Sequence, residues 1–256
     1  ADGQSNPKAE LEATLRGVYQ CPSTPLIEEE PTLKPNESGG DPVIAAGDTQ
    51  MKQEAKETRR LSIDYGQRHA KELDHSQKVA DHLGLDHEIL KLPQLGQILG
   101  GSSLTDKSII LPEGHYAEES MKSTVVPNRN MILLALAGGH ALSLGFDTIA
   151  YAAHAGDHTI YPDCRPEFIA SFENMINLGT KSGVTGKKIN IHAPLIKMKK
   201  HEIIKSGIKY GVDYSKTLSC YNPSDEGLAC NACDACHFRK EGFRIAGVND
   251  PTRYKK

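Results

Sequence analysis

A chain of 256 residues, 38% hydrophobic and 25% charged, is long enough to bury a core without covalent staples and reads as globular. Its formal net charge of -3 gives no global field to recruit nucleic acid or anionic lipid. No run of about 18 apolar residues is present, which argues against a membrane-spanning helix.

Residues 1–60 stand apart from the rest. They hold seven Lys/Arg against eleven Asp/Glu and six of the fourteen prolines, so this stretch carries a net of -4 while the remainder carries +1. Leu11, Leu15, Val18 and Tyr19 suit one short helix; the rest reads as loop, linker or disorder. Ala1-Asp2-Gly3-Gln4 lacks the basic and apolar regions of a signal peptide; most of the chain's thiols lie in one cluster, which argues for reducing surroundings, and a cytoplasmic protein is expected.

From Leu61 the pattern sharpens. Leu61-Ser62-Ile63-Asp64 predicts a strand. Ala70, Leu73, Ala80 and Leu83 share one helical face that Gly84 would cap, and His87-Glu88-Ile89-Leu90 predicts the next strand. Residues 93–127 read as loop-rich. Met131 to Leu144 is apolar almost all round and predicts a buried helix closed by Gly145. Thr148–Ala153 predicts a strand, Glu167–Leu178 a helix, Lys188–His192 a strand and His201–Tyr210 a helix. Strands alternating with helices imply an α/β fold with a mainly parallel sheet, whose ligands sit beyond the C-terminal strand ends. The chain thus divides into an atypical segment over 1–60, an α/β domain over 61–215 and a cysteine-bearing subdomain over 216–256.

Four of the six cysteines fall in that last part, as Cys220 and then Cys230-x-x-Cys233-x-x-Cys236. Two CxxC steps aim three thiolates at one ion, and Cys220 can close a tetrahedron across a loop that Gly227 lets bend. Zn2+ is the expected occupant. Four thiolates leave no open position, so the metal would be structural. Buried free thiols or disulfides are the alternatives. His237 adjoins the cluster as a spare candidate. Arg239, Lys240 and Arg244 lie close by, but charges near a zinc knuckle more often form a solvated face than a nucleic-acid surface.

The densest chemistry is His154-Ala155-Gly156-Asp157-His158-Thr159-Ile160-Tyr161-Pro162-Asp163-Cys164-Arg165-Pro166-Glu167-Phe168, between a strand and a helix. Its carboxylates could bind the N–H edge of a base, Arg165 a carboxylate, and Tyr161 could stack on a heterocycle. Val126-Pro127-Asn128-Arg129-Asn130 opens the apolar helix, either as an anion site or as an ordinary N-cap by Asn128 or Asn130. Tyr65-Gly66-Gln67-Arg68-His69 leaves the same two readings open.

With these segments in hand, the chain from about Leu61 to Tyr254 resembles the 7-cyano-7-deazaguanine synthase family of queuosine biosynthesis. The resemblance is carried by SIDYGQRH (62–69), SSLTD (102–106), VPNRN (126–130), HAGDHTIYPDCRPEF (154–168), the four cysteines and GFRIAGVNDPTRY (242–254). It implies a Rossmann-like PP-loop ATPase fold with a structural zinc. It also implies a reaction in which ATP with Mg2+ adenylates the carboxylate of 7-carboxy-7-deazaguanine and ammonia displaces AMP to give an amide. A second ATP then activates the amide oxygen, and loss of AMP leaves the nitrile. On that basis Arg129 and Arg165 are expected to face anionic groups, and Asp157 and Asp163 the deazaguanine edge or the ammonia. A homodimer without direct nucleic-acid contact is expected.

The family's ATP-binding S-G-G-x-D-S stands here as Ser38-Gly39-Gly40-Asp41-Pro42-Val43, with Pro and Val in place of Asp and Ser. Ser38, Gly39 and Gly40, with Asp64, Tyr65, Gln67 and Arg68 at the next strand end, are the expected ATP-side residues. The altered loop also admits a second expectation, a zinc-stabilised deazapurine-binding homologue without a working ATP loop.

Overall fold

A computed structural model describes residues 26–28, 58–114 and 121–256. The expected helix around Leu11–Tyr19 and the loop Ser38–Gly40 lie outside the described residues. In chain order the strands are β1 (Leu26–Glu28), β2 (Thr58–Asp64), β3 (Asp86–Lys91), β4 (Thr148–Ala150) and β5 (Asn190–His192). The helices are α1 (Lys71–Leu83), α2 (Gln94–Ile98), α3 (Arg129–Leu144), α4 (Pro166–Gly179), α5 (Lys181–Val184), α6 (Lys200–Lys209) and α7 (Asp234–Ala246).

β2 is buried on both faces through Arg60, Leu61, Ser62 and Ile63, as a strand covered by helices must be. β3 pairs with it in parallel, from Arg59 beside Asp86 to Asp64 beside Lys91, and β4 and β5 form a second parallel pair. The slot between the pairs holds β1, antiparallel to both neighbours: Leu26 lies opposite Arg60 and Ala150, Glu28 opposite Thr58 and Thr148. The sheet is therefore mainly parallel, in the order β3-β2-β1-β4-β5. Nothing in the three-residue stretch Leu26–Glu28, flanked by prolines, announces a central strand. β2 also begins at Thr58, inside the segment set apart on composition.

The core is built where apolar side chains of α3 and α4 meet the sheet, through Leu61, Ile63, Leu133, Leu134, Ile149 and Phe172. The two glycine stops behave as expected: Gly84 and Gly145 take left-handed φ values of 68° and 85° and donate back to the last helical carbonyls. α3 departs from expectation in one respect. Met131 and Leu144 are 38% and 40% exposed, so the helix is buried along one side rather than all round. The opposite edge of the sheet is fastened by a polar network, in which buried Arg60 donates to Ser76 (2.7 Å) and His87 bridges Ser62 and Gln77 (2.9 Å each).

Within the loop-rich stretch, α2 is a helix that apolar periodicity could not show in five residues. It matters because it abuts the end of β2. A Cβ on Gly96 would sit 2.5 Å from the Tyr65 carbonyl oxygen, and one on Gly66 would sit 2.6 Å from that of Pro93. Both obstacles are backbone. Gly96→Ala is therefore expected to push α2 off the turn and cost about 1–3 kcal/mol. Scanning calorimetry should show the thermal midpoint falling by several degrees; an unchanged midpoint would contradict this packing.

Candidate functional site

Past Asp64 the chain leaves β2 through a turn in which the Gly66 amide donates to Asp64 Oδ1 (3.1 Å). Tyr65 is fully buried, and its amide donates to Gln67 Oε1 (2.9 Å). Gln67 Nε2 then donates to Glu72 Oε1 (2.9 Å), and the other Glu72 oxygen lies 3.4 Å from His69 Nε2. Arg68 turns the other way and donates to the carbonyls of Asp106 and Ile109 (3.0 and 3.1 Å), holding the SSLTD segment against this strand end. The side chains of Gln67 and Arg68 are thus engaged within the protein.

The start of α3 forms the second wall. Arg129 is 9% exposed and donates through Nε to Asn130 Oδ1 (3.1 Å). The Asn130 amide donates to Asp163 Oδ2 (3.3 Å), placing a carboxylate at the positive end of a 16-residue helix. Both N-cap readings of VPNRN need amendment: Asn128 occupies the cap with φ 57° but makes no side-chain capping bond. Burial is the largest influence on the pKa values of His69, Tyr151, Tyr161 and Cys164, and the Arg129 charge acts on all four, joining burial in lowering that of His69 and opposing the rise that burial causes in the other three. Arg129 therefore stands where the loops after β2 and β4 meet.

The third wall is the loop after β4. His154 Nε2 is 3.4 Å from Asp157 Oδ2, both side chains being buried. The Tyr161 hydroxyl hydrogen-bonds Thr124 (2.7 Å) and Tyr221, while burial raises its pKa to about 12. Burial likewise pushes the Cys164 thiol up to about 12, so it stays protonated and is no nucleophile. Of the four residues expected to act on substrate, Asp163 is tied to the start of α3 beside Arg129, and Arg129, Asp157 and Asp163 all act on the Cys164 thiol. Arg165 lies at the exposed rim, donating to the His158 carbonyl (2.7 Å). The sequence alone assigns no role to Tyr221, Glu72 or His154. For Tyr221 a signal existed: it is an aromatic residue directly after a metal-type cysteine.

Two buried histidines make stability pH-dependent. Burial lowers the pKa of His154 to about 4 and, with the Arg60 charge second, that of His87 to about 4, from an ordinary 6.5. The folded state then binds fewer protons than the unfolded chain between these values, so stability falls as pH drops below about 6.5 and the loss is complete near pH 4. His154 accounts for roughly 2–3 kcal/mol of this and the half-buried His87 for less. Denaturant melts at pH 7 and pH 4.5 should show the drop, and His87→Gln should lessen it.

At the far end of the chain the four cysteine sulfurs lie within 4.8 Å of one another. Tetrahedral Zn–S bonds of about 2.3 Å require S–S separations of about 3.8 Å; Cys233–Cys236 and Cys230–Cys236 stand at 3.5 and 4.0 Å. Backbone amides of Asn222 and Cys230 donate to the Cys220 sulfur (3.3 and 3.1 Å), and that of Cys233 to the Cys230 sulfur (3.3 Å). Such N–H···S bonds stabilise thiolates, so the donor set and its second sphere fit a tetrahedral thiophilic ion. His237 is outside the cluster. The neighbouring Arg239 is buried and committed to Asp250 (3.0 Å) and Thr217 (2.8 Å), which removes it from any nucleic-acid surface.

A cysteine-knuckled α/β chain with a buried arginine at the strand ends narrows the field, and sequence comparison decides it. Residues 38–247 match the family model described as queuosine biosynthesis protein QueC. The chain belongs to this family. It is 49% identical over 200 residues to a 7-cyano-7-deazaguanine synthase of Cupriavidus pinatubonensis, covering 78% of this chain and 87% of the relative. It is 50% identical over 195 residues to one of Pseudomonas syringae pv. syringae, covering 76% and 83%. One of Psychromonas ingrahamii is 46% identical over 195 residues, covering 76% and 85%. The QueC match begins at Ser38, so it takes in the glycine pair expected to face ATP. Among the described residues no helix is long and apolar enough to cross a membrane.

Proposed function

We propose that the chain converts 7-carboxy-7-deazaguanine and ammonia into 7-cyano-7-deazaguanine at the expense of ATP, in the cytoplasm and as a homodimer. One observation carries this reading: the chain is about half identical to synthases of that name, and in it the N-terminus of α3, which carries buried Arg129, is hydrogen-bonded to Asp163 of the loop after β4.

The arrangement suits the chemistry. Arg129 and the N-terminus of α3 present positive charge to a carboxylate, and to the negative charge that grows on its oxygen as ammonia adds. Asp157 and Asp163 offer acceptors to the N–H edge of the deazapurine or to the incoming ammonia, and Arg165 guards the rim against loss of the anion. Asp64, Tyr65, Gln67 and Arg68 shape the strand end on the ATP side, with Ser38, Gly39 and Gly40 as the phosphate loop. Mg2+ would neutralise the pyrophosphate that leaves. Cys220, Cys230, Cys233 and Cys236 would hold one structural Zn2+.

The test is direct. Zinc-loaded protein with the carboxydeazapurine, ammonium and magnesium ATP should yield AMP and the nitrile, followed by mass spectrometry. AMP without nitrile would leave only the adenylation half. Neither product from folded, metal-bound protein would overturn the reading and favour the deazapurine-binding homologue.

A further inference from the structure

His69 is 4% exposed, and its Nδ1 has no hydrogen-bond partner, whereas Nε2 lies 3.4 Å from a Glu72 oxygen. A carboxylate beside Nε2 selects the tautomer that carries its proton there, which leaves Nδ1 with a bare lone pair. Glu72 cannot swing aside, because Gln67 holds its other oxygen and is itself bonded to the backbone of Tyr65 and Ile63. Burial, opposed by Glu72 and aided by the Arg129 charge, lowers the His69 pKa, so the ring is a neutral acceptor at neutral pH. A buried acceptor without a donor is costly, and such atoms in native proteins call for an explanation.

Its surroundings supply one. The Tyr221 ring packs on the imidazole at 5.6 Å between centroids, and the same tyrosine hydrogen-bonds Tyr161 of the loop after β4. Tyr221 follows the metal-type ligand Cys220, so the knuckle is fastened to both strand-end loops at this point. An imidazole, two phenols and the charge of Arg129 neighbour one another at this point, groups that suit a planar, hydrogen-bonding heterocycle.

We propose that His69 is a specificity-determining residue whose Nδ1 accepts a hydrogen bond from an N–H of the bound deazapurine, with Glu72 fixing the tautomer and Tyr221 fixing the ring. The assignment rests on the functional reading above and deepens it. His69 touches the substrate; Glu72 and Tyr221 are positioning residues.

The experiment measures binding of 7-carboxy-7-deazaguanine by calorimetry without ATP, alongside the KM for ATP and metal content. His69→Phe, which keeps a ring and removes the acceptor, should weaken binding about tenfold or more. His69→Asn, which returns an acceptor near the Nδ1 position, should recover most of it. Glu72→Gln should act like His69→Phe, because its amide can donate to Nε2 and so move the proton to Nδ1; this variant also serves if His69→Phe fails to fold. The KM for ATP should stay put in all of them. Wild-type affinity in both His69→Phe and Glu72→Gln would overturn the assignment alone. An equal loss in His69→Phe and His69→Asn, with the KM for ATP raised too, would reduce His69 to a packing role and also overturn it. No binding by the wild-type chain would overturn the functional reading and this assignment together.

Discussion

Cys233→Ser is expected to release the metal and unfold the cysteine-bearing subdomain over 216–256. Cys233 is fully buried and sits at the junction of three features. It caps α7, it bridges to Glu113, and its amide donates to the Cys230 sulfur. Four cysteine sulfurs held within 4.8 Å of one another repel strongly as thiolates. A divalent ion removes that conflict, and for small thiolate sites its binding free energy, about 10 kcal/mol or more, is folding free energy. A serine hydroxyl at one corner is a poor ligand and leaves three thiols crowded around the gap. Metal content by atomic absorption should fall from one per chain toward zero, and amide exchange over 217–254 should rise to unprotected rates. The effect would spread, because α7 packs on α6 through Gly242, where a Cβ would meet Lys200 and Ile204 at 2.8 and 3.0 Å. Retention of one tightly bound ion by the variant would show that the cysteines do not form the site.

How much of this was legible beforehand depends on the range over which each signal acts. Helix stops at Gly84 and Gly145 and the knuckle spacing are local, and the structure reproduces them. Strand β2 was visible because the middle of a strand covered on both faces is a short buried run, while β3, exposed or half-exposed along its length, was marked by Ile89 and Leu90. The partition of Arg129, Asp157 and Asp163 from Arg165 was not legible, since all four sit in similar polar surroundings along the chain and only the packing of α3 on the loop after β4 separates them. The central strand β1 left no trace because three residues carry no period. The orphan nitrogen of His69 was hidden for a different reason: its meaning depends on Glu72, Tyr221 and Arg129, which lie 3, 152 and 60 positions away. α3 misled in the opposite direction, since an all-round apolar helix in a small sheet layer still turns Met131 and Leu144 outward.

Arg129→Ala is expected to cut turnover to nitrile by about 10²–10³-fold, the scale seen when one preorganised charge or donor is removed from a developing anion. The argument is electrostatic. In a buried position the guanidinium acts through a low dielectric, and its charge opposes the ionisation penalty of Tyr161 and Cys164 while disfavouring a proton on His69. A carboxylate substrate entering the same space meets the only arrangement among the described residues in which a buried arginine and a long helix N-terminus converge on the strand ends. Arg129→Lys keeps the charge but loses the planar fork, so it should recover part of the rate and little of the geometry-dependent binding. Steady-state nitrile formation by mass spectrometry, with metal content and near-ultraviolet circular dichroism as checks on folding, separates catalysis from stability. A folded, metal-replete Arg129→Ala protein within a few-fold of the wild-type rate would remove Arg129 from the chemistry and shift the burden of charge stabilisation to Arg165.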